Sequence, residues 1–303
     1  MSSSEALFPH PTQYHAIDAQ RMAYVDVGPA EPATATGRTL LCVHGNPTWG
    51  FYYRRVIDSF SKDHRIVAVD HLGCGRSDKP PRDDADYTLA GHRDRLVDLI
   101  ETRDLKNVTL LAHDWGGAIG LAAALRTFQR FDSVVLLNTG AFPPPYLPFR
   151  ISVCRWPVIG RIGVQGFNGF ARAAITMAMS RNKLDPAVAA GLLEPYDNWS
   201  HRVAIDAFVQ DIPMSPRHPT HDVLKMLEED LSKWSDHPID LIWGMRDWCF
   251  RPECLRRFEA IWPHARGTEI ADAGHYVLED APEETLSAIA RHLSDLPAIH
   301  SDD

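Results

Sequence analysis

No stretch of this sequence is strongly basic, and none stays apolar for long. Its 31 basic residues face 40 acidic ones, a net charge of -9. Without a Lys/Arg-rich run there is nothing to grip a phosphate backbone, so nucleic acid is excluded as a partner. The longest apolar runs fall well short of the ~20 residues a spanning helix needs, so the chain is not expected to be membrane-spanning. Cysteine is sparse and odd in number: Cys42, Cys74, Cys154, Cys249 and Cys254 are widely scattered. No disulfide framework follows, and Cys249 and Cys254 lack the second ligand pair of a zinc site. The opening Met1-Ser2-Ser3-Ser4-Glu5 has neither the basic nor the apolar region of a signal peptide. Together these give the expectation of a cytoplasmic protein with reduced thiols. A phosphate-cradling loop is missing too. Gly73-Cys74-Gly75-Arg76-Ser77 lacks the third glycine and the helix start of a dinucleotide site, so neither cofactor nor metal is expected.

What is present is an alternation of buried strands and helices. With 303 residues, the chain is long enough for one large domain or a domain with an insertion. Tyr14–Ile17 and Met22–Val27 alternate as an edge hairpin would. Leu40–Val43, Ile66–Asp70, Asn107–Leu111, Ser133–Leu137 and Ile239–Trp243 are short continuous apolar runs, the mark of strands covered on both faces. Helical periodicity marks Tyr52–Lys62, Thr88–Leu105, Glu253–Trp262 and Glu283–Leu293, and Thr268–Ile270 reads as a last strand. Strands alternating with helices predict a mostly parallel sheet flanked by helices. At Ala141 the rhythm breaks. Phe142-Pro143-Pro144-Pro145-Tyr146-Leu147-Pro148 opens a helix-prone insertion before the next strand. The expected division is a core of residues 1–141 and 236–303 with a helical cap at 142–235, and a tail at Ala298–Asp303 that frays.

The centre of this arrangement is Leu111-Ala112-His113-Asp114-Trp115-Gly116-Gly117. A strand-forming stretch precedes it, and Ala118–Leu125, small and helix-forming, follows. Ala112 and Gly116 stand two residues either side of Asp114. This spacing resembles the nucleophile elbow of α/β-hydrolases, where small neighbours let a strained turn lift one side chain above the sheet. The usual serine is replaced by aspartate. A carboxylate with a reference pKa of ~3.9 is already ionised at neutral pH and needs no base to attack. It suits attack at a saturated carbon bearing a leaving group, giving an alkyl ester.

The remaining roles follow from position. In this fold a histidine follows the last strand, and Ala273-Gly274-His275-Tyr276 supplies His275 for the second step. The loop Leu137-Asn138-Thr139-Gly140-Ala141 offers no carboxylate, so the acid that orients His275 is expected one strand later at Asp247 rather than at Asp240 or Asp272. His113 should point away from Asp114 and be structural. A departing anion needs donors. Trp115 offers a backbone N–H and an indole N–H, and Asn46, in the loop after the first buried strand, adds an amide.

His44-Gly45-Asn46-Pro47-Thr48-Trp49 with His113-Asp114-Trp115-Gly116-Gly117 resembles the haloalkane dehalogenase family of α/β-hydrolases. In that family the residues matching Asn46 and Trp115 hold the departing halide. Within it, Asn46–Arg54, Asp70–Pro80 and Pro195-Tyr196-Asp197-Asn198-Trp199 are most similar to the bacterial β-lactone decarboxylases of long-chain olefin biosynthesis. The resemblance implies a hydrophobic small-molecule substrate, a cis-3,4-dialkyl-2-oxetanone converted to a cis-alkene and carbon dioxide. It also implies work beside a β-lactone synthetase, a reductase and a thiolase-like enzyme. The alternative is a haloalkane dehalogenase, which would share every catalytic position. An epoxide hydrolase would draw acidic donors from Tyr146 and Tyr196. A fluoroacetate dehalogenase would need arginines near the nucleophile, and a non-catalytic binding protein would not be expected to keep the whole constellation.

Overall fold

The computed structural model describes residues 3–30 and 36–299; part of the expected tail, residues 300–303, and the opening Met1 and Ser2 lie outside them. A short helix α1 (Ser3–Leu7) precedes the hairpin β1 (Gln13–Ile17) and β2 (Gln20–Val27). Then come β3 (Thr39–Val43), α2 (Arg54–Phe60), β4 (Arg65–Val69), α3 (Leu89–Thr102), β5 (Val108–Asp114), α4 (Trp115–Arg126) and β6 (Phe131–Thr139). The segment that follows carries α5 (Phe149–Cys154), α6 (Ile159–Arg161), α7 (Gly169–Met177), α8 (Pro186–Leu193), α9 (Val203–Asp211) and α10 (Pro219–Asp230). The core resumes with β7 (Ile239–Gly244), α11 (Pro252–Ile261), β8 (Arg266–Ile270), α12 (Val277–Asp280) and α13 (Pro282–Asp295).

The strands form one sheet in the order β1-β2-β4-β3-β5-β6-β7-β8. β1 with β2 and β2 with β4 are antiparallel, and the remaining neighbours are parallel. Side chains alternate across each strand, which sorts the core into two layers. Leu41, Val43, Leu110 and Ala112 meet α3 and α4 on one face. Leu40, Cys42 and Leu111 meet α2 and α13 on the other. Both faces are covered, so every residue of β3, β5 and β7 is buried.

Local chemistry sets the element ends. The Thr88 side chain accepts from the Gly91 N–H to cap α3, and Asp185 accepts from Ala187 and Val188 to cap α8, with Pro186 at its first position. The helix expected over Tyr52–Lys62 begins differently: a 3-10 turn, Gly50–Tyr53, leads into α2. Its start is pulled by Asp70, which accepts from the Gly50 N–H at 2.7 Å and the Arg76 N–H at 2.7 Å. Burial pushes the Asp70 carboxyl up to about 6. The Ser77 hydroxyl also donates to the Asp70 carbonyl at 2.7 Å. The Gly73–Ser77 turn therefore wraps a buried carboxylate.

Within the 142–235 segment, Leu224 and Leu227 of α10 join Leu231 and Trp234 in the core layer beside α4. The helices before α10 reach the loops at the carboxyl ends of the strands. Trp49 Nε1 donates to Gly191 O at 3.1 Å, Tyr196 OH to Thr48 O at 3.1 Å, and Trp248 Nε1 to Met177 O at 2.8 Å. The Tyr276 N–H donates to Ala178 O at 3.0 Å. Ligands of open α/β sheets bind at that end of the strands.

Candidate active site

Asp114 ends β5 with φ 55° and ψ -130°, a backbone conformation rarely held by an L residue. Small neighbours make the turn possible. A Cβ at Gly116 would stand 2.0 Å from the Val43 carbonyl oxygen, and one at Gly45 would stand 2.1 Å from Asp114 Oδ1. Thr139 Oγ1 donates to the Asp114 carbonyl and ties the turn to β6. The backbone N–H of Asn46 donates to Asp114 Oδ1 at 2.6 Å, fixing the carboxylate from the loop after β3.

His275 Nε2 lies 3.5 Å from Asp114 Oδ2, and His275 Nδ1 lies 2.7 Å from Asp247 Oδ2. Asp247, in the loop after β7, also accepts from the Cys249 N–H at 2.6 Å. Three loops thus bring together the three residues expected to act in sequence. Burial works against a charged imidazole, but Asp247 and Asp114 outweigh it and raise the His275 pKa to about 10. Asp247 is buried too, yet His275 holds its carboxyl below the usual range. The two acidic neighbours of His275 favour its charged imidazole.

His113 faces away from the nucleophile and is fully buried. Its Nε2 is 2.9 Å from the His275 carbonyl oxygen, and burial lowers its pKa to about 3. A neutral ring there donates to the backbone of the His275 loop and positions it. On the other side of that loop, Asp280 Oδ2 accepts from the Gly274 N–H at 2.7 Å and the Ser180 N–H at 2.8 Å.

Sequence reasoning missed one partner. Asn138, near the carboxyl end of β6, sends its amide to Asp247 Oδ2 at 3.0 Å and to Gly244 O at 3.1 Å. Its Oδ1 accepts from the Gly244 N–H at 2.8 Å. Its position, one strand before the acid, is the other place where a carboxylate could stand, but its contact with Asp247 depends on β6 and β7 being neighbours. Asn46 also does more than expected. Its side-chain Nδ2 donates to the Ile205 carbonyl of α9 at 3.2 Å, while its buried Oδ1 has no partner among the described residues.

Asp114, His275, Asn46 and Trp115 open into a cavity of about 600 Å³. Its walls come chiefly from Phe142, Leu147, Ile151, Phe170, Met177 and Phe250. Such a lining suits an apolar ligand presented to a few polar groups. Two tyrosines that could serve an epoxide are committed elsewhere. Tyr146 OH donates to Cys249 O at 2.6 Å, and Tyr196 OH to Thr48 O.

Comparison with known proteins agrees with this geometry. The alpha/beta hydrolase fold family matches residues 38–153 and 188–282. A cis-3-alkyl-4-alkyloxetan-2-one decarboxylase of Shewanella oneidensis is 34% identical over 97% of this chain and 92% of its own length. One from Xanthomonas campestris pv. campestris is 36% identical over 91% of this chain and 93% of its own. The solved haloalkane dehalogenase DpaA of Paraglaciecola agarilytica is 26% identical, covers 97% of this chain and 95% of its own, and superposes with a TM-score of 0.79. The sheet order, the strained aspartate at the end of β5 and likenesses that run the length of the chain have one reading: it belongs to the alpha/beta hydrolase fold family.

Proposed function

We propose that this enzyme is a β-lactone decarboxylase, converting cis-3,4-dialkyl-2-oxetanones to cis-alkenes and carbon dioxide. The observation that carries the reading is the 34% and 36% identity, over nearly the whole chain, to two decarboxylases of that name. An apolar cavity ending on Asp114 and His275 supports it. Of the 142–235 segment, the helices before α10 serve as the cap over the core, while α10 packs beside α4.

Asp114 is the nucleophile, His275 the proton-bearing partner and Asp247 the residue that orients it. Asp114 attacks the saturated ring carbon bonded to the ring oxygen, breaks that carbon–oxygen bond and displaces the ring carboxylate. The product is an alkyl ester of Asp114 whose neighbouring carbon carries a free carboxylate. Asn46 and Trp115 stabilise that anion as it forms. The bond from the neighbouring carbon to the carboxylate then breaks, its electrons become the double bond, and Asp114 leaves as carboxylate. No water and no redox partner is consumed. Inversion in the first step followed by anti elimination keeps the alkene cis. A hydrogen bond from the His275 imidazolium, which keeps its proton, stabilises the Asp114 carboxylate as it leaves.

The reading puts the enzyme after a β-lactone synthetase, in company with a reductase and a thiolase-like enzyme. A cytoplasmic location suits its five cysteines, all of them free. The second reading, a haloalkane dehalogenase, is favoured by the Asn46 and Trp115 donors at the cavity, since these serve a halide equally well. Offering the purified protein a long-chain cis-β-lactone and, separately, 1-bromohexane and 1,2-dibromoethane decides between them. Alkene by gas chromatography with little halide release is the expected result; fast halide release with intact lactone would overturn it.

A further inference from the structure

The cap carries a surface that the reaction does not use. Most of the large apolar side chains exposed among the described residues lie between positions 149 and 199. Phe149 is 75% exposed, Val158 70%, Ile159 65% and Phe167 74%, with Trp156 and Trp199 about half exposed. Part of this set is in direct contact. Gly166 sits against both Ile162 and Trp199, and the Arg161 guanidinium lies 5.7 Å over the Trp199 ring. Val158, a β-branched residue at φ 64°, holds the turn that presents Trp156 and Ile159 outward. Strain of this kind persists where a segment has work to do.

The charge of this region is opposite to that of the whole. Residues 149–199 hold six Arg and Lys residues against three carboxylates, Asp185, Glu194 and Asp197, in a chain of net charge -9. Arg155 is spent on the Val209 and Ile212 carbonyls, and Arg181 on Asp272 and Glu284. Arg150, Arg161 and Arg172 are exposed and have no carboxylate partner among the described residues. Exposed aromatic and aliphatic side chains interleaved with arginines that no carboxylate neutralises match the boundary of an anionic bilayer, where rings sit at headgroup level and guanidinium groups meet phosphates. The patch also continues into the active-site cavity. Phe149, Arg150, Val153 and Cys154 of α5 form part of its wall.

We infer that the cap face built on Trp156, Val158, Ile159 and Phe167, with Arg161 and Arg172, docks the enzyme on an anionic phospholipid surface. The docking stands on the patch alone. Its use, taking a two-chained apolar substrate directly from the bilayer into the cavity, rests on the decarboxylase reading.

The test is co-sedimentation of the purified full chain with phosphatidylcholine vesicles, with and without about 30% phosphatidylglycerol, and with no substrate present. The protein is expected to pellet with the anionic vesicles, less so as sodium chloride is raised, since salt screens surface charge. R161Q/R172Q should weaken binding by on the order of 25-fold, at about fivefold per arginine. W156S/I159S should weaken it by about 100-fold, from the apolar area no longer buried. Unchanged thermal unfolding of both variants shows that they fold. Absence of wild-type binding to any vesicle overturns the proposal. So does equal binding to neutral and anionic vesicles, or sedimentation equilibrium showing a dimer that W156S/I159S splits without vesicle binding. None of these outcomes bears on lactone turnover, so the two readings fail separately.

Discussion

Asp114→Ala is expected to lower lactone turnover by at least about 10⁴-fold, because the covalent route disappears with its carboxylate. The substitution should leave the fold intact. The strained turn is held by backbone and neighbours: Gly116 under Val43, the Thr139 hydroxyl on the Asp114 carbonyl, and a fully buried β5. The one bond lost is that from the Asn46 N–H to the carboxylate. Substrate binding should therefore survive, since the cavity walls are apolar and lie elsewhere. Steady-state kinetics with dissociation constants from a non-reacting dialkyl analogue checks this. A residual rate within about tenfold of wild type would remove Asp114 from the mechanism.

His275→Ala should give a different result: reaction without release. The first step needs only an ionised Asp114, so the alkyl ester still forms. The second step loses the hydrogen bond that stabilises Asp114 as it leaves, and slows by about 10²- to 10⁴-fold. Intact-protein mass should rise by the mass of the whole lactone. After trypsin the increment should sit on the peptide Asn107–Arg126, which contains Asp114. The pH dependence carries a sign. Burial opposes the charged imidazole, yet Asp247 and Asp114 raise its pKa to about 10, so the free enzyme holds a proton there at neutral pH. Esterifying Asp114 removes one of the two supporting charges, and the imidazole titrates lower in the adduct. If the charged His275 stabilises the departing Asp114, decay of the wild-type adduct slows as pH rises through that lower value. If it acted as a base on water, decay would speed up over the same range. Stopped-flow measurement of adduct decay between pH 6 and pH 10 separates the two.

How far these residues were legible in the sequence depends on whether their signal is local. β3, β5 and β7 announce themselves as continuous apolar runs because both sheet faces are covered. Asp114 is visible because its strained backbone demands small flanking residues, a requirement written within five positions. His275 and Asp247 follow from strand order, since each stands in a loop at the carboxyl end of a parallel strand. Contacts made across the chain are another matter. That Asn138 would brace Asp247 requires knowing that β6 and β7 are neighbours. That the Asn46 amide would reach Ile205 depends on how α9 lies, which no periodicity specifies. The 3-10 turn at Gly50 is set by Asp70, twenty residues away. Helical periodicity over Tyr52–Lys62 carries no trace of it.

Elimination without water is the central claim, and oxygen labelling tests it most directly. Wild-type enzyme would turn over a long-chain cis-β-lactone many times in water enriched in oxygen-18, and the peptide Asn107–Arg126 would then be weighed. The account predicts cis-alkene and carbon dioxide, no β-hydroxy acid, and a peptide of unchanged mass, because Asp114 leaves with the oxygens it brought. A peptide heavier by one or two labelled oxygens, or a labelled hydroxy acid, would mean that water attacks the ester. The enzyme would then be a hydrolase in chemistry as well as in fold.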